Sequence, residues 1–153
     1  MLKIVAICTV ALVVACSPRV ALHPEGGLDL EPYAGKVVYL DFWASWCEPC
    51  RRSFTWMSEM HERYGKEGLV IVAVNVDRDR ASADAFIKER KPPFRIVFDT
   101  EKSFARAYDI VKMPSSYVYD RRGQLRKEYV GFDYSDVSEL EPFIESLLKE
   151  DVK

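Results

Sequence analysis

The stretch Asp41-Phe42-Trp43-Ala44-Ser45-Trp46-Cys47-Glu48-Pro49-Cys50 decides the fold, because it changes character halfway along. Its first half closes the run Lys36-Val37-Val38-Tyr39-Leu40-Asp41-Phe42-Trp43, a β-rich apolar segment of the length expected for a central strand buried on both faces. Asp41 is the one charge inside it. In the second half, Pro49 suits the first turn of a helix, where a missing N–H costs little. Over residues 49–64, Phe54, Met57, Met60 and Tyr64 recur at helical spacing as core positions, and Gly65 supplies a stop. A strand that runs into Cys-x-x-Cys and then into a helix puts Cys47 at the helix N-terminus, where unpaired N–H groups and the helix dipole favour a thiolate. Cys50 follows one turn later on the same face, close enough for a disulfide that can open and close.

One Cys-x-x-Cys is also half of a structural zinc site, but zinc wants four ligands. The remaining cysteines are Cys8 and Cys16, and the histidines are His23 and His61. His61 lies about three helical turns beyond Cys50 and reads as a helix-surface residue. No metal and no cofactor is therefore expected. A copper carrier is the alternative, although a soft-metal site needs Met or His near its thiols. An unpaired charge in a buried strand is costly, so the Asp41 carboxyl should hold its proton to higher pH and could exchange it with Cys50. The competing reading of Asp41 is a strand-edge carboxylate held by a local hydrogen bond.

Downstream, residues 69–76 read as a second buried strand and 82–90 as a helix ended by Lys91-Pro92-Pro93. Residues 95–98 give a third strand and 103–108 a short helix, and strands 116–119 and 125–130 flank the turn Asp120-Arg121-Arg122-Gly123. Val137, Leu140, Ile144, Leu147 and Leu148 form the stripe of a last helix, in which Pro142 predicts a late start or a kink. Asp77 and Asp79, flanking Arg78, read as solvated loop charges. Strands alternating with helices and closed by a hairpin give a three-layer α/β domain with a mixed sheet over residues 32–153. A chain of 153 residues that is 48% hydrophobic buries one core. With 22 basic against 24 acidic residues it lacks the positive field that nucleic acid binding needs.

The ten residues from Asp41 to Cys50 resemble the thioredoxin active-site segment. Met113-Pro114-Ser115-Ser116 resembles its cis-proline loop, and Val130-Gly131 ahead of the last helix also matches. Between Val76 and Pro114 lie 37 residues, room for an inserted helix-strand unit. That insertion, the Glu48-Pro49 pair and the N-terminal segment resemble the TlpA/ResA-like extracytoplasmic branch. The resemblance implies a thiol-disulfide oxidoreductase that reduces disulfides outside the cytoplasm, often in cytochrome c maturation, with an oxidase or isomerase as the alternative. It implies that Cys47 attacks and Cys50 resolves. Pro114 would be cis, the Met113 backbone would hydrogen-bond an extended substrate segment, and Trp46, Glu48 and Pro49 would lie along it. Its partners would be disulfide-containing proteins and an upstream membrane thiol electron donor, and the protein would be a monomer. Glu48 adds negative charge where a strong oxidant would benefit from a cation or donor, which favours the reductase direction.

At the N-terminus, Met1-Leu2-Lys3 precedes an apolar run over residues 4–14, with Ala15 before Cys16. This pattern reads as a signal peptide over residues 1–15, since the run is well short of the roughly 20 residues of a spanning helix. Val13-Val14-Ala15-Cys16 resembles the bacterial lipobox. By that resemblance Cys16 is lipidated, Cys8 is removed, and the protein is a periplasmic, membrane-anchored lipoprotein whose thiols are Cys47 and Cys50. Residues 16–31, with two prolines and Gly26-Gly27, form a tether that becomes ordered near its end. Its mean reach would be roughly 20 Å.

Overall fold

The apolar run around Asp41 forms β1 (Val37–Trp43), and all seven of its residues are buried. A strand with apolar side chains on both sides needs cover on both faces, which a three-layer arrangement provides. The structure, a computed structural model, describes residues 24–151. Cys8, Cys16, His23, the expected signal segment and the first part of the tether lie outside the described residues.

β1 pairs in parallel with β2 (Leu69–Asn75) and antiparallel with β4 (Ser115–Tyr119). β3 (Arg95–Phe98) extends the sheet beyond β2 in parallel, and β5 (Leu125–Val130) extends it beyond β4 antiparallel, giving the order β3-β2-β1-β4-β5. On the face that carries Tyr39 and Trp43 pack α1 (Glu48–Tyr64), α2 (Arg80–Arg90) and α4 (Tyr134–Leu148), burying Phe54, Met57, Phe86, Leu140 and Ile144. Val38, Leu40 and Phe42 face the other way, beneath Phe104 of α3 (Ser103–Ala107), Tyr108, and Leu28 and Leu30 ahead of β1. This is the expected thioredoxin-like architecture, with α2 and β3 as the inserted unit.

Several boundaries differ from the sequence reading, each for a local reason. Gly65 stays helical (φ −57°, ψ −40°), and the chain turns only at Gly68 (φ 108°). The space a side chain would need there is taken by Arg121, whose guanidinium lies 2.9 Å from where a Gly68 Cβ would be and donates to the carbonyls of Gly35, Glu67 and Leu148. α2 begins at Arg80, two residues early, because the Asp79 carboxylate accepts from the Ala81 and Ser82 N–H groups. α4 begins at Tyr134 and carries Pro142 inside it. Asp133 accepts from the Ser135 N–H at 2.9 Å, while Asp136 reaches back to the Asp133 N–H at 3.0 Å; this reciprocal cap fixes the start upstream of the proline. His61 is half-buried against Gly65 instead of lying on an open surface, and its Nδ1 has no partner among the described residues.

The pairing brings five loops to one end of the sheet. Trp43 lies opposite Asn75, Asn75 opposite Phe98, Phe42 opposite Ser115, and Ser115 opposite Val130. The segments that hold Cys47, Asp77, Asp99, Pro114 and Gly131 therefore share that end. Among the described residues no helix is long and apolar enough to cross a membrane.

Candidate redox site

At the end of β1 the Trp43 ring packs on Phe54 and Phe86, with centroids 4.6 and 4.8 Å away. The chain then turns, the Cys47 N–H donating to the Ala44 carbonyl, and delivers Cys47 as the N-cap of α1. Cys47 and Cys50 form a disulfide with their Cα atoms 5.3 Å apart. Cys47 keeps 4% of its surface exposed, whereas Cys50 is fully buried, so the outer sulfur belongs to Cys47. The Cys50 N–H points at the Cys47 Sγ, 3.3 Å away. Trp46, beside it, is 70% exposed. The Glu48 side chain is 73% exposed, with its carboxylate 3.9 Å from the Arg51 Nε. Water and that guanidinium offset its charge, so Glu48 gives little support to a redox direction.

The Met113–Pro114 peptide is cis and leads directly into β4. The Gly131 N–H donates to the Pro114 carbonyl at 2.7 Å, which ties the segment ahead of α4 to this loop. Met113 is half-buried and packs against the core cluster that contains both cysteines. A hollow of about 410 Å³ opens beside Met113, with Val111 at its rim. A second, of about 390 Å³, runs between Trp46 and Arg78, and the two share Val76 and Lys102.

Asp41 is fully buried in the central strand, between Ala73 of β2 and Ser116 of β4, so it is not an edge residue. By strand alternation it shares the face of Tyr39 and Trp43, the face that α1 covers. Its Oδ1 accepts from the Ser116 hydroxyl at 2.6 Å, and its Oδ2 has no partner among the described residues. Burial pushes its carboxyl up to about 7, with the Ser116 hydrogen bond pulling the other way.

Asp77 corrects the sequence reading. It is only 7% exposed. Its carboxylate accepts from the Ser45 N–H at 2.9 Å, the Ser45 hydroxyl at 3.1 Å and the Asn75 amide at 2.8 Å. The Ser45–Asp77 bonds thus tie the loop after β1 to the loop after β2, and the Lys102 ammonium, donating to the carbonyls of Val76 and Asp77, ties that second loop to the segment after β3. Asp79 is exposed and caps α2. Ser45 and Asp77 each lie two residues past the paired strand ends Trp43 and Asn75. Seeing them as partners requires the parallel register, which no local pattern carries. Ser116 and Tyr39, which the sequence reading does not assign to the site, belong to it through the hydrogen bonds Tyr39 to Ser116 and Ser116 to Asp41. The signal available in the sequence is Tyr39 two residues from a buried acid, on its own face of β1; the match with Ser116 needs the strand register.

Comparison with known proteins agrees with this geometry. Over 117 residues, 75% of the chain, the sequence is 32% identical to the thiol-disulfide oxidoreductase ResA of Bacillus subtilis. Over 102 residues it is 34% identical to the ResA of Geobacillus kaustophilus. The chain spans 65% and 59% of the length of these two relatives. Among solved structures, one from Chlorobium tepidum, provisionally named a thiol:disulfide interchange protein DsbE, is similar with a TM-score of 0.76 and 39% identity, covering 82% of this chain and 90% of that one. StoA from Bacillus subtilis is similar with a TM-score of 0.62 and 25% identity, covering 76% and 84% of the two chains. The Redoxin model matches residues 18–144, which include the cysteine pair, the buried acid and the cis-proline loop, and the chain belongs to the Redoxin family.

Proposed function

We propose that this protein is a thiol-disulfide oxidoreductase that reduces disulfides of extracytoplasmic proteins through a Cys47/Cys50 dithiol-disulfide cycle. The observation that carries the reading is the closed Cys47–Cys50 disulfide at the start of α1, at the sheet end that also holds the cis Met113–Pro114 bond. In the reduced state the Cys47 thiolate attacks a substrate disulfide, forms a mixed disulfide and expels one substrate thiolate. Cys50 gives its proton to Asp41 and attacks the Cys47 sulfur. The internal disulfide forms, the second substrate thiol leaves, and two electrons have passed to the substrate. An extended substrate segment would lie along Met113 and the exposed Trp46, whose neighbouring hollows leave room for its side chains.

The reductant direction is the one the family resemblance favours; at the site the Cys47 thiolate has the N-terminus of α1 and the Cys50 N–H beside it, while Pro49 has no N–H to add. Reduction of insulin disulfides should be readily measurable with the full chain and dithiothreitol, and Cys47→Ala should lower it to background. A stoichiometric metal after purification, with no insulin reduction, would point to a copper carrier. A reduction potential well above that of glutathione would point to the oxidase or isomerase reading.

Electrons would come from a membrane thiol donor, and cytochrome c maturation is the pathway the resemblance favours. Removal of residues 1–15 and lipidation of Cys16 would hold the domain at the membrane by its tether. Cys16→Ser should release the protein into the soluble extract. Continued retention in the membrane fraction would exclude the lipid anchor.

A further inference from the structure

Asp41 does not sit alone beneath α1. Ser116, directly across from it in β4, is 2% exposed and places its hydroxyl oxygen 2.6 Å from Asp41 Oδ1. Tyr39, two residues earlier on the same face of β1, brings its own hydroxyl 2.8 Å from that serine oxygen. The Tyr39 ring is buried and held edge-on against Trp56, with centroids 5.3 Å apart, so it has little freedom to turn away. A serine hydroxyl has one proton to give, and an ionised carboxylate can only accept. With Tyr39 donating into Ser116, the single Ser116 proton is committed to Asp41. The chain thus has one consistent direction, from Tyr39 through Ser116 to Oδ1.

The other carboxylate oxygen completes the picture. Oδ2 is buried and has no partner among the described residues. A proton can therefore arrive at and leave Oδ2 without any hydroxyl in the chain having to rotate. The other ionisable groups packed about this cluster are the cysteines of α1, Tyr129 on β5 opposite Ser116, and Asp136 of α4, which acts on Tyr39. None is a cation, and β2 presents Ala73. The anionic form of Asp41 thus has the Ser116 hydroxyl as its one hydrogen-bond donor among the described residues, against the full cost of burial.

We propose that Ser116, locked as a donor by Tyr39, is a positioning residue that keeps anionic Asp41 available as the base for Cys50. This rests on the dithiol cycle above, with Asp41 as proton acceptor. The serine touches no reacting sulfur in this scheme. It acts through the carboxylate, by favouring its charged form and by fixing which oxygen is free to take the proton.

The test uses the reduced full chain and an aromatic disulfide whose two coloured thiols leave in sequence. The first release reports attack by Cys47 and the second reports resolution by Cys50. In the unmodified protein the second phase should gain speed with pH through a midpoint near about 7. Ser116→Ala should move that midpoint upward by about one pH unit, slowing resolution several-fold at neutral pH, with the first phase unchanged and the second recovering at high pH. Ser116→Thr should restore the midpoint, because it keeps the hydroxyl. Tyr39→Phe should move it in the same direction by less, since Ser116 then keeps its proton but is free to turn.

An unmoved midpoint in Ser116→Ala, or a second phase slowed equally at every pH, would overturn the proposal. Should Ser116→Ala fail to fold, an unmoved midpoint in Tyr39→Phe would do the same. Asp41→Asn separates the two levels of the argument. If that variant keeps the parent pH profile, Asp41 is not the base and the underlying reading fails. If its profile is flat while those of the Ser116 and Tyr39 variants match the parent, only the role of Ser116 fails.

Discussion

Cys50→Ala should turn the protein from a catalyst into a trap. Cys47 keeps its place at the N-cap of α1 in this variant, with the helix N-terminus to stabilise its thiolate and 4% of its surface open to a substrate sulfur. It can still attack, but the mixed disulfide has no internal thiol to resolve it. Disulfide-linked adducts with natural partners should accumulate on non-reducing gels, and insulin turnover should fall to background. Cys47→Ala should lose turnover to the same extent while trapping almost nothing, because the fully buried Cys50 cannot reach a protein disulfide. Equal trapping by the two variants would show that the roles are misassigned. The asymmetry is a matter of geometry: two cysteines one helical turn apart differ in burial, and that difference separates attack from resolution.

The features legible in the sequence were those carried by one segment. The switch from an apolar strand to a helix across Cys47 and Cys50 needs only local periodicity and a well-placed proline. The α2–β3 insertion showed through Pro92-Pro93 and the short apolar run after it. The stop at Gly68 is hidden in the sequence because Gly65 stands first, and because Arg121, more than fifty residues away, is what fills the space beside Gly68. The start of α4 was obscured for a different reason. Asp133 and Asp136 have the spacing of a reciprocal cap, and a cap settles where a helix begins, whereas an internal proline such as Pro142 does not. Asp77 reads as solvated because Ser45, which donates to it twice, belongs to a neighbouring strand end. A polar residue just past a buried strand looks solvated until the register shows a serine at the matching position next door. The Tyr39-Ser116-Asp41 chain has the same origin, since Ser116 lies 75 residues from the acid it serves.

Asp41→Asn should stabilise the oxidised protein by about 2–4 kcal/mol at pH 8 while slowing resolution of the mixed disulfide. The free side chain loses its proton near 3.8, whereas burial holds the folded-state carboxyl near about 7. Below about pH 4 both folded and unfolded chains keep the proton, and Asp41 costs nothing through ionisation. As pH rises from there to about 7, the unfolded chain gives up its proton while the folded chain must keep it. Stability is therefore lost across that window, by about 1.4 kcal/mol per pH unit and about 4 kcal/mol in all. Above about 7 the buried carboxylate is itself charged, and the loss levels off. An asparagine has no charge to desolvate and can still accept from Ser116 through its carbonyl oxygen. Its amide N–H groups, at the place of Oδ2, leave one more donor unpaired than the O–H of the neutral acid, a cost that does not vary with pH and brings the expected gain at pH 8 below the full value of about 4 kcal/mol. The unfolding midpoint of the variant in denaturant should thus be no higher than the parent's at pH 4 and rise relative to it as pH increases to 8. In the reduced protein the same change removes the proton acceptor of Cys50 but leaves Cys47 at its helix terminus, so stopped-flow thiol exchange should show a normal first phase and a slow second one. A stability difference that does not vary with pH would mean that Asp41 titrates as an ordinary carboxylate. Normal turnover per folded molecule would move the proton-accepting role to another group, and Asp77, clamped to the loop that leads into Cys47, would be the next to replace.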